Sequence, residues 1–538
     1  MKFTIGIDVG GTNTDGVLYN TQKKSVEKSI KIPTAHQSYN ICIEEALCNL
    51  VAGIDIRDII SLNISTTLST NMLLEKKGAP VNLVLIGYED FPHIKNEILS
   101  IVSPHSILEI RGGHTRWGKE RARLDAAALQ NYAEAHKREL FAVSSLFSPR
   151  NPEHEQTASR ILSQAGCAGI TCGHEIARSK LNSVKRTVTA FLNSSLIPIT
   201  KRLISGVEKS ASSVGIKCPI MFLRSDSSLV SEQWCARFPV ETIFSGPAAS
   251  MRGGAILGGV GGGDAVIADM GGTSTDIGVI HGGAALYSPE GAVIGDYKTM
   301  IPSLQIRSIA LGGDSKVDIQ QDGGIMIGPE RVSPFFSFSP DSGYTPSDAL
   351  CTLGLYKQDG ASASVKASER YGMRIQLKPK EFAALVRKEV SIRLERFIDD
   401  VNEDTTKVIC VGAPIAAFVS DDARCFVPQK ASVASAIGAA SSSLSLCCTA
   451  SVLHNFSDET FCAFLPAKTM TSENLSEVLE IVQSELFAYI KSQAMQMGFG
   501  CVSVQISSED EYIGENHTQA TLAAVYVTAE AVVQCAQK

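Results

Sequence analysis

At 538 residues, the chain is longer than one hydrophobic core usually supports, and its 44% hydrophobic content can fill two or three domains. The formal net charge of -7, with no long basic run to offset it, argues against a nucleic-acid-binding protein. The 14 cysteines include no C-x-x-C pair, which excludes the usual zinc spacings and indicates reduced thiols in a cytoplasmic protein.

In the first third of the chain, apolar runs alternate with helical patterns. A strand is predicted to begin at Phe3, which leaves no room for a signal peptide and again favours the cytoplasm. Strands are predicted at 3–7, 16–19, 59–64, 81–86 and 141–147. Helices are predicted at 39–51, 70–77, 125–138 and 152–166, with a loop at 111–118. This alternation predicts βαβ packing in an α/β fold.

The rest of the chain continues the mixed pattern. A helix is predicted at 185–210, strands at 220–223 and 408–411, and a helix beginning near Pro247. Small residues at 245–249 suit either close helix packing or a helix N-terminus that faces a ligand. Residues 431–453 carry no charge, but their serines and glycine favour a buried helix over a membrane span. A helix at 475–495 and strands at 502–506 and 520–527 predict a peripheral subdomain.

The most informative feature is a duplication. Residues 8–15 (DVGGTNTD) recur at 269–276 (DMGGTSTD), and each copy lies between two apolar runs, as a tight turn between strands does. Glycines let backbone N–H groups approach an anion, threonine hydroxyls add donors, and carboxylates can hold the waters of a Mg²⁺ ion. Two such turns facing each other would clamp phosphates, whereas one copy alone could equally be a hairpin turn.

Five segments in this order resemble the ATP-dependent hydantoinase/oxoprolinase A-type proteins, which belong to the actin, heat-shock-chaperone and sugar-kinase-like superfamily of ATPases. The resemblance covers about residues 1–445. The segments are IGIDVGGTNTD at 5–15, STT at 65–67 with TNMLLEKKG at 70–78, SGPAA at 245–249, the second turn at 269–276, and AIGAA at 436–440.

The resemblance implies an α/β fold with two RNase H-like, actin-like ATPase domains around a nucleotide cleft, and a small α+β C-terminal subdomain. The expected domains are 1–185, 186–453 and 454–538, and the implied cofactors are ATP and Mg²⁺. The residues expected to bind the nucleotide are Gly10, Gly11, Thr12, Asn13, Thr14, Gly271, Gly272, Thr273, Ser274 and Thr275 at the phosphates, and Gly412, Ala413 and Pro414, with Gly312 and Gly313, at the adenosine.

The resemblance also implies a reaction. Members of the family couple ATP cleavage to the opening of a cyclic amide such as 5-oxoproline or a hydantoin, and related subunits activate ketones for carboxylation. The shared step is phosphorylation of a carbonyl-derived oxygen, which mostly needs positioning and charge neutralisation. Asp8 and Asp269 are predicted to hold Mg²⁺ through waters. Asp15 and Asp276 are predicted either to orient the acceptor or only to stabilise the turns.

Substrate contacts are expected from Thr70 and Asn71, in the second matching segment, and from His114 and His174, because polar segments of this kind face the cleft in the family. Ordinary structural hydrogen bonding is the alternative for both histidines. The His-Glu pairs of the N-terminal half do not form an H-E-x-x-H zinc motif, since Ala158 and Arg178 occupy the positions of the second histidine.

The chain departs from the family pattern at Asn13, where phenylalanine is usual, and at Asp314, where glycine is usual, and these departures bear on the substrate more than on ATP binding. No segment resembles the second catalytic subunit, so a B-type partner is expected, with a homodimer possible by default and no membrane association. Two alternatives are a sugar or acyl kinase and a non-catalytic ATPase that reactivates a partner enzyme. A P-loop is excluded because no G-x-x-x-x-G-K-[ST] occurs.

Overall fold

The computed structural model describes residues 1–34, 39–177, 181–288, 291–337, 342–357, 359–401, 407–419, 423–465, 468–496, 503–513 and 521–533. Strands and helices alternate along the described chain, as predicted.

The N-terminal elements are β1 (Phe3–Val9), β2 (Asn13–Asn20), β3 (Ser25–Pro33), α1 (Tyr39–Val51), β4 (Ile59–Thr66), α2 (Leu68–Leu74), β5 (Val81–Ile86), α3 (Pro92–Ile101), β6 (Ser106–Ile110), α4 (Ala126–Ala135), β7 (Leu140–Ser145), α5 (Glu153–Gln164), β8 (Gly169–Cys172) and α6 (Gly173–Ala177). The central elements are α7 (Ser183–Ser213), β9 (Ile220–Leu223), β10 (Leu229–Ser231), α8 (Glu232–Arg237), α9 (Ser245–Leu257), β11 (Ala265–Met270), β12 (Thr275–His281), β13 (Ala284–Ala285), β14 (Val293–Ile294), β15 (Tyr297–Lys298), β16 (Ile306–Ile309), β17 (Ser315–Ile319) and β18 (Ile325–Arg331). The C-terminal elements are α10 (Pro346–Leu353), α11 (Ala361–Met373), α12 (Pro379–Asp399), β19 (Val408–Val411), β20 (Cys425–Phe426), α13 (Ala434–Ser441), β21 (Leu444–Asn455), β22 (Thr460–Phe464), β23 (Thr469–Ser472), α14 (Leu475–Gln496), β24 (Ser503–Ile513) and β25 (Thr521–Val533).

Two large sheets share one local design. In the first, with strand order β23-β22-β21-β10-β9-β4-β1-β2-β3, the hairpin β1–β2 is followed by β4, which pairs with β1 in parallel. In the second, with order β13-β12-β11-β19-β20, the hairpin β11–β12 is followed in the same sheet by β19, which pairs with β11 in parallel. The duplicated sequence motif is therefore also a duplicated hairpin in the fold.

A third sheet, with order β6-β5-β7-β8, is entirely parallel and lies in the N-terminal half. Its central strands β5 and β7 are buried along their whole length, as expected for parallel strands that are covered on both faces. The mainly apolar composition of both strands made them predictable from the sequence.

Helices α9 and α13 form the seam between the two large sheets. Helix α9 packs on β11 and β19 of the second sheet, α13 packs on β1, β2 and β4 of the first, and the two helices pack on each other. A Cβ on Gly253 would lie 1.9 Å from the carbonyl oxygen of Ala434, and one on Gly438 would lie 1.9 Å from that of Ala249. The small residues of both segments therefore serve close helix packing.

The prediction of one buried helix across 431–453 is wrong for its second part. Helix α13 ends at Ser441, and from Leu444 the chain continues as β21, which pairs with β10 and β25. An uncharged apolar run does not distinguish a buried helix from a buried strand. The domain boundaries stay predictions, although strand pairing in the first sheet crosses both 185/186 and 453/454.

The glycine contacts in this seam can be tested by adding one methyl group. We expect Gly438→Ala to lower the free energy of unfolding by about 1–3 kcal/mol, because overpacking outweighs the gain of up to about 1 kcal/mol from alanine's helix propensity. Urea denaturation measures the change. Gly262→Ala is the control, since a Cβ there meets nothing within 4 Å. Equal midpoints for both variants would show that the two helices can separate without cost.

Candidate active site

The two D-x-G-G-T-x-T-D segments form the same turn. In the first, the Gly10 N–H donates to the Asn13 carbonyl at 3.0 Å, and in the second, the Gly271 N–H donates to the Ser274 carbonyl at 2.9 Å. The glycine and threonine of each motif lie in the loop that this bond closes. The sequence repeat is thus a repeat of backbone geometry.

The turns lie against each other. A Cβ on Gly272 of the second turn would lie 2.9 Å from Oγ1 of Thr12 in the first turn. The Gly313 N–H donates to the Gly271 carbonyl at 3.0 Å, and the Asp314 N–H donates to the Gly272 carbonyl at 2.7 Å. The Gly312–Gly313 segment therefore supports the second turn from behind, as part of the same site.

Gly412, predicted to lie near the adenosine, is at the end of β19 beside the second turn. Its φ of +94° favours glycine, and a Cβ there would lie 2.2 Å from the carbonyl oxygen of Met270 and 2.7 Å from Oδ1 of Asp269. Pro414 follows closely and lies near Gly313, whose Cβ would be 3.6 Å from the proline Cγ. The structure thus brings Gly312, Gly313 and Gly412 to Pro414 together at one turn.

Four carboxylates meet at this site in two cross-strand pairs. Asp8 lies directly opposite Asp15 in the β1–β2 ladder, and Asp269 lies directly opposite Asp276 in the β11–β12 ladder. Directly opposed residues of two strands share one face of the sheet, and like charges there repel. The negative charge of Asp8 also acts on Asp269, so the two pairs are coupled across the cleft.

Burial raises the pKa of all four carboxyl groups. For Asp15 the pKa rises to about 6 despite the charge of Lys31, and for Asp276 it rises to about 7 despite a hydrogen bond from Ser308. Ser65 donates to Asp8 at 2.6 Å, and a hydrogen bond from Ser250 opposes the rise at Asp269. Burial therefore favours the neutral form of these carboxyl groups, and the hydrogen-bond donors and the cation of the site offset it only in part.

The two copies differ in the third strand. Lys31 of β3 lies opposite Asp15 and donates to both of its carboxylate oxygens at 2.7 Å, whereas Ser308 of β16 lies opposite Asp276. The first copy thus has a lysine counter-charge and the second has only a hydroxyl. Neither Lys31 nor Ser308 belongs to the repeated motif, so the sequence pattern did not indicate them.

The four motif threonines have different environments. Thr12 lies at the junction of the turns, and Thr273 is exposed beside it in the second turn. The hydroxyl of Thr14 is buried in a hydrogen bond with Thr34 at 3.0 Å, and that of Thr275 donates to the Leu311 carbonyl at 2.6 Å. Phosphate contact stays a prediction for all four, and these internal bonds favour it for Thr12 and Thr273 only.

Arg331, at the end of β18, is a site residue that the sequence analysis missed. Its Nη2 donates to Thr12 Oγ1 at 2.6 Å and to Asp314 Oδ2 at 3.3 Å, and its Nη1 would be 3.5 Å from a Cβ on Gly11. Thr12 also donates to Asp314 at 3.2 Å. Asp314, noted as a departure from the family pattern, therefore anchors an arginine between the turns.

The predicted substrate residues divide into two groups. Asn71 lies beside the first turn, with its Nδ2 3.7 Å from where a Cβ on Gly11 would be, while Thr70 accepts a hydrogen bond from the Phe244 N–H just before α9. His114 and His174 lie elsewhere, around the start of α5. A substrate role at the cleft stays a prediction for all four residues, and the histidine positions do not favour it.

The histidines form a cluster with α5. The buried ring of His114 contacts that of His154 with a centroid distance of 4.4 Å and an angle of 45° between the rings, and burial lowers the pKa of His114. His174 Nδ1 lies 2.6 Å from an oxygen of Glu155, which also accepts from the Ser145 N–H at 2.6 Å. Burial opposes the ionisation of Glu155, but the hydrogen bond and charge of His174 lower its pKa overall. The contacts of His174 are those of structural hydrogen bonding, whereas neither ring nitrogen of the buried His114 has a hydrogen-bond partner among the described residues.

Comparison with known proteins agrees with this geometry. Residues 4–166 match the hydantoinase/oxoprolinase N-terminal region, and residues 186–445 match the hydantoinase/oxoprolinase domain, which together account for most of the chain. The chain belongs to the hydantoinase/oxoprolinase family, so the resemblance seen in the sequence motifs is confirmed.

Relatives include the caprolactamase subunit alpha of Pseudomonas jessenii, which is 28% identical over 390 residues, or 67% of this chain and 55% of that protein. The 5-oxoprolinase 1 of Arabidopsis thaliana is 26% identical over 308 residues, or 50% of this chain and 24% of that protein. The acetophenone carboxylase gamma subunit of Aromatoleum aromaticum is 23% identical over 438 residues, or 71% of this chain and 59% of that protein. The chain thus spans little more than half of the first relative and about a quarter of the second.

Two solved structures share the fold. A nucleotide-free acetone carboxylase chain matches with a TM-score of 0.75 at 17% identity, covering 99% of this chain and 88% of that one. The ATP-dependent caprolactamase of Pseudomonas jessenii matches with a TM-score of 0.73 at 19% identity, with the same coverage. The predicted fold class is confirmed. Within the described residues, no helix has the length and apolar character needed to cross a membrane.

The counter-charge role of Lys31 gives a pH-dependent prediction. We expect Lys31→Met to lower the free energy of unfolding by about 1–3 kcal/mol at pH 8, because it leaves an ionised, buried Asp15 unpaired and Lys31 is itself only part-buried. At pH 5, below the Asp15 pKa of about 6, the carboxyl group is largely neutral and the loss should shrink.

Urea midpoints at the two pH values measure this difference. Lys28→Met is the matched control on the same strand, because its ammonium group donates to the backbone carbonyl of Ala52. A loss for Lys31→Met that is equal at both pH values would mean that packing, and not the charge of Asp15, is what Lys31 contributes.

Proposed function

We propose that this chain is the ATP-binding subunit of an enzyme that phosphorylates and opens a cyclic amide, such as a hydantoin, 5-oxoproline or a related lactam. The observation that carries the proposal is the contact between two identical glycine-threonine turns, each with a pair of opposed carboxylates at its base. Relatives named caprolactamase and 5-oxoprolinase support the substrate class.

The two turns suit the phosphates of ATP. The N–H groups of Gly10 and Gly271 close the turns, and the next backbone N–H groups, at Gly11 and at Gly272, can donate to phosphate oxygens, with Thr12 and Thr273 adding hydroxyl donors. Arg331 reaches the same junction and offers a planar cationic donor. Positioning of this kind is the main demand of phosphoryl transfer.

The carboxylates also fit a divalent cation. Asp8 and Asp269 keep partial exposure at the cleft, their charges are coupled, and Lys31 pairs with Asp15 rather than with either of them. Unneutralised oxygen ligands at a phosphate site are the donor set that Mg²⁺ takes, with waters completing its shell. Asp8 and Asp269 would hold the ion, which when bound neutralises phosphate charge.

Phosphorylation explains why a cyclic amide needs ATP. Opening a five-membered lactam is slow because amide resonance is lost, and the open chain recloses readily. Transfer of the terminal phosphoryl group to the amide oxygen releases ADP. One water molecule then adds to the amide carbon, and cleavage of the ring C–N bond gives an amine and an acyl phosphate. A second water molecule hydrolyses the acyl phosphate to a carboxylate and phosphate. In this proposal the chain's own residues position ATP and the acceptor.

A second catalytic subunit fits this proposal. The caprolactamase and acetophenone carboxylase relatives are named as subunits, which supports a multi-subunit assembly for this chain. We therefore place the activation step on this chain and the completion of ring opening with a partner of the B type. Homodimerisation of the chain would be compatible with that assembly.

The first test is Mg²⁺-dependent ATP hydrolysis by the purified chain, alone and with a candidate partner, over a panel of 5-oxoproline, hydantoins, other lactams and simple sugars. We expect a cyclic amide to stimulate turnover, and Asp8→Asn and Asp269→Asn each to lower kcat by on the order of 100-fold, because the cation would lose a ligand.

Asp264→Asn is the control. Asp264 is exposed and lies just before the N-terminal end of β11, whereas Asp269 lies near the C-terminal end of the same strand. Stimulation by a sugar instead of an amide would replace the proposal by a kinase. ATP turnover that responds only to a protein partner would indicate a reactivating ATPase.

Arg331 provides a separate test of the phosphate site. We expect Arg331→Met to raise KM for ATP by about tenfold with a smaller effect on kcat, because a charged donor to phosphate is lost while the carboxylates stay in place. Steady-state kinetics with varied ATP measures both. Arg307→Met is the control, since Arg307 donates to the backbone carbonyl of Asp400. An unchanged KM would remove Arg331 from the site.

A further inference from the structure

A cavity of about 800 Å³ lies away from the paired turns, where the N-terminal half, α8 and the C-terminal strands meet. None of its lining residues belongs to either D-x-G-G-T-x-T-D segment. Its volume is within the range of small-molecule sites. It joins segments that are distant in the sequence: Arg150 comes from before α5, Trp234 from α8, Phe464 from β22 and Tyr489 from α14.

Arg150 gives this cavity a buried cationic group. The residue is only 3% exposed, yet it lines the cavity. Its Nη1 donates to Ser451, its guanidinium carbon lies 4.6 Å above the centre of the Phe464 ring, and its Nε has no hydrogen-bond partner among the described residues. Burial lowers its pKa to about 10.

In the described part of the chain, no ion pair is found for Arg150. The groups whose charge acts on Arg150 are Tyr526 and then Glu511, which accepts a hydrogen bond from Tyr526 at 2.9 Å and makes no ion pair with Arg150. A buried charge without a partner is costly to the folded state. An anion in the cavity would remove that cost.

The other cations on the wall have partners. Arg237 pairs with Glu175, and Lys468 pairs with Glu485 at 2.6 Å. The one further carboxylate of the wall, Glu153, is exposed to solvent. Arg150 is therefore the cation that a ligand would meet with its charge uncompensated.

The other lining residues indicate that the uncharged part of the ligand is apolar. Trp234, Phe238, Phe464 and Tyr489 contribute aromatic surface, against which an apolar group packs well. His174 also lines the cavity, with Nδ1 fixed on Glu155, so its ring orientation is set. A single guanidinium matches a singly charged, planar anion better than a doubly charged phosphate.

We infer that this cavity is a binding site for a small organic carboxylate with an apolar body, held by Arg150. The site is independent of the ATP-dependent reaction proposed above, because the cavity shares no residue with the paired turns. Arg150 is the anchor for the carboxylate, and the aromatic wall binds the remainder of the molecule.

The two tryptophans of the chain make the site measurable, because Trp234 lines the cavity and Trp117 does not. In a Trp117→Phe background, Trp234 is the only tryptophan emitter. The probes are phenylacetate and isovalerate, each compared with its neutral amide, in titrations followed by fluorescence and by calorimetry. We expect saturable binding of at least one acid below about 10 mM, and at least about tenfold weaker binding of its amide.

Arg150→Met should weaken binding of the acid by at least about tenfold while the protein stays folded, because methionine replaces the apolar stem and removes an unpaired buried charge. Arg160→Gln is the control, since Arg160 is an exposed residue of α5. Equal binding of acid and amide, binding unchanged by Arg150→Met, or no binding of either acid would each overturn the inference. The comparison of acid with amide needs no variant at residue 150, so it decides the matter even if Arg150→Met fails to fold.

Discussion

The main constraint on this structure is the placement of two pairs of aspartates, whose members lie opposite each other on antiparallel strands and repel when ionised. Asp8 opposite Asp15 and Asp269 opposite Asp276 place four carboxylates around one junction, and within the described residues Lys31 is the cation that pairs with them. Like charges at such positions destabilise a sheet. Under the function proposed here, a divalent cation bound between the pairs would offset this repulsion, which gives a physical reason for carboxylates at these positions in both copies.

The remainder of the fold brings the two pairs to that junction and holds them there. Each pair lies on its own sheet, and the distance between the sheets is set by α9 and α13, which approach until Gly253 and Gly438 contact opposing backbone. Larger residues in this seam would move the turns apart. The copies are not equivalent, however, since Lys31 pairs with Asp15 in the first copy, whereas Arg331 pairs with Asp314 beside the second turn.

Periodicity and composition were sufficient for much of the fold. The alternation of elements, the parallel strands β5 and β7 and the paired turns were predictable, because local hydrophobic pattern and turn chemistry determine them. The strand β21 could not be predicted, because an uncharged run of small residues suits a buried helix as well as a buried strand. Arg331 was also missed, since only the pairing of β17 with β18 brings it opposite the Gly312–Ser315 turn.

By itself, the sequence determined the two turns, their glycines and threonines, and the family, because those features are short and contiguous. Only the tertiary structure decided which residues surround them: Thr14 and Thr275 have internal partners, His114 and His174 lie around α5, and the cavity at Arg150 joins four distant segments. The physical reason is that pairing between strands and packing between helices are long-range contacts. A local pattern encodes the element that makes such a contact, but not the partner that it meets.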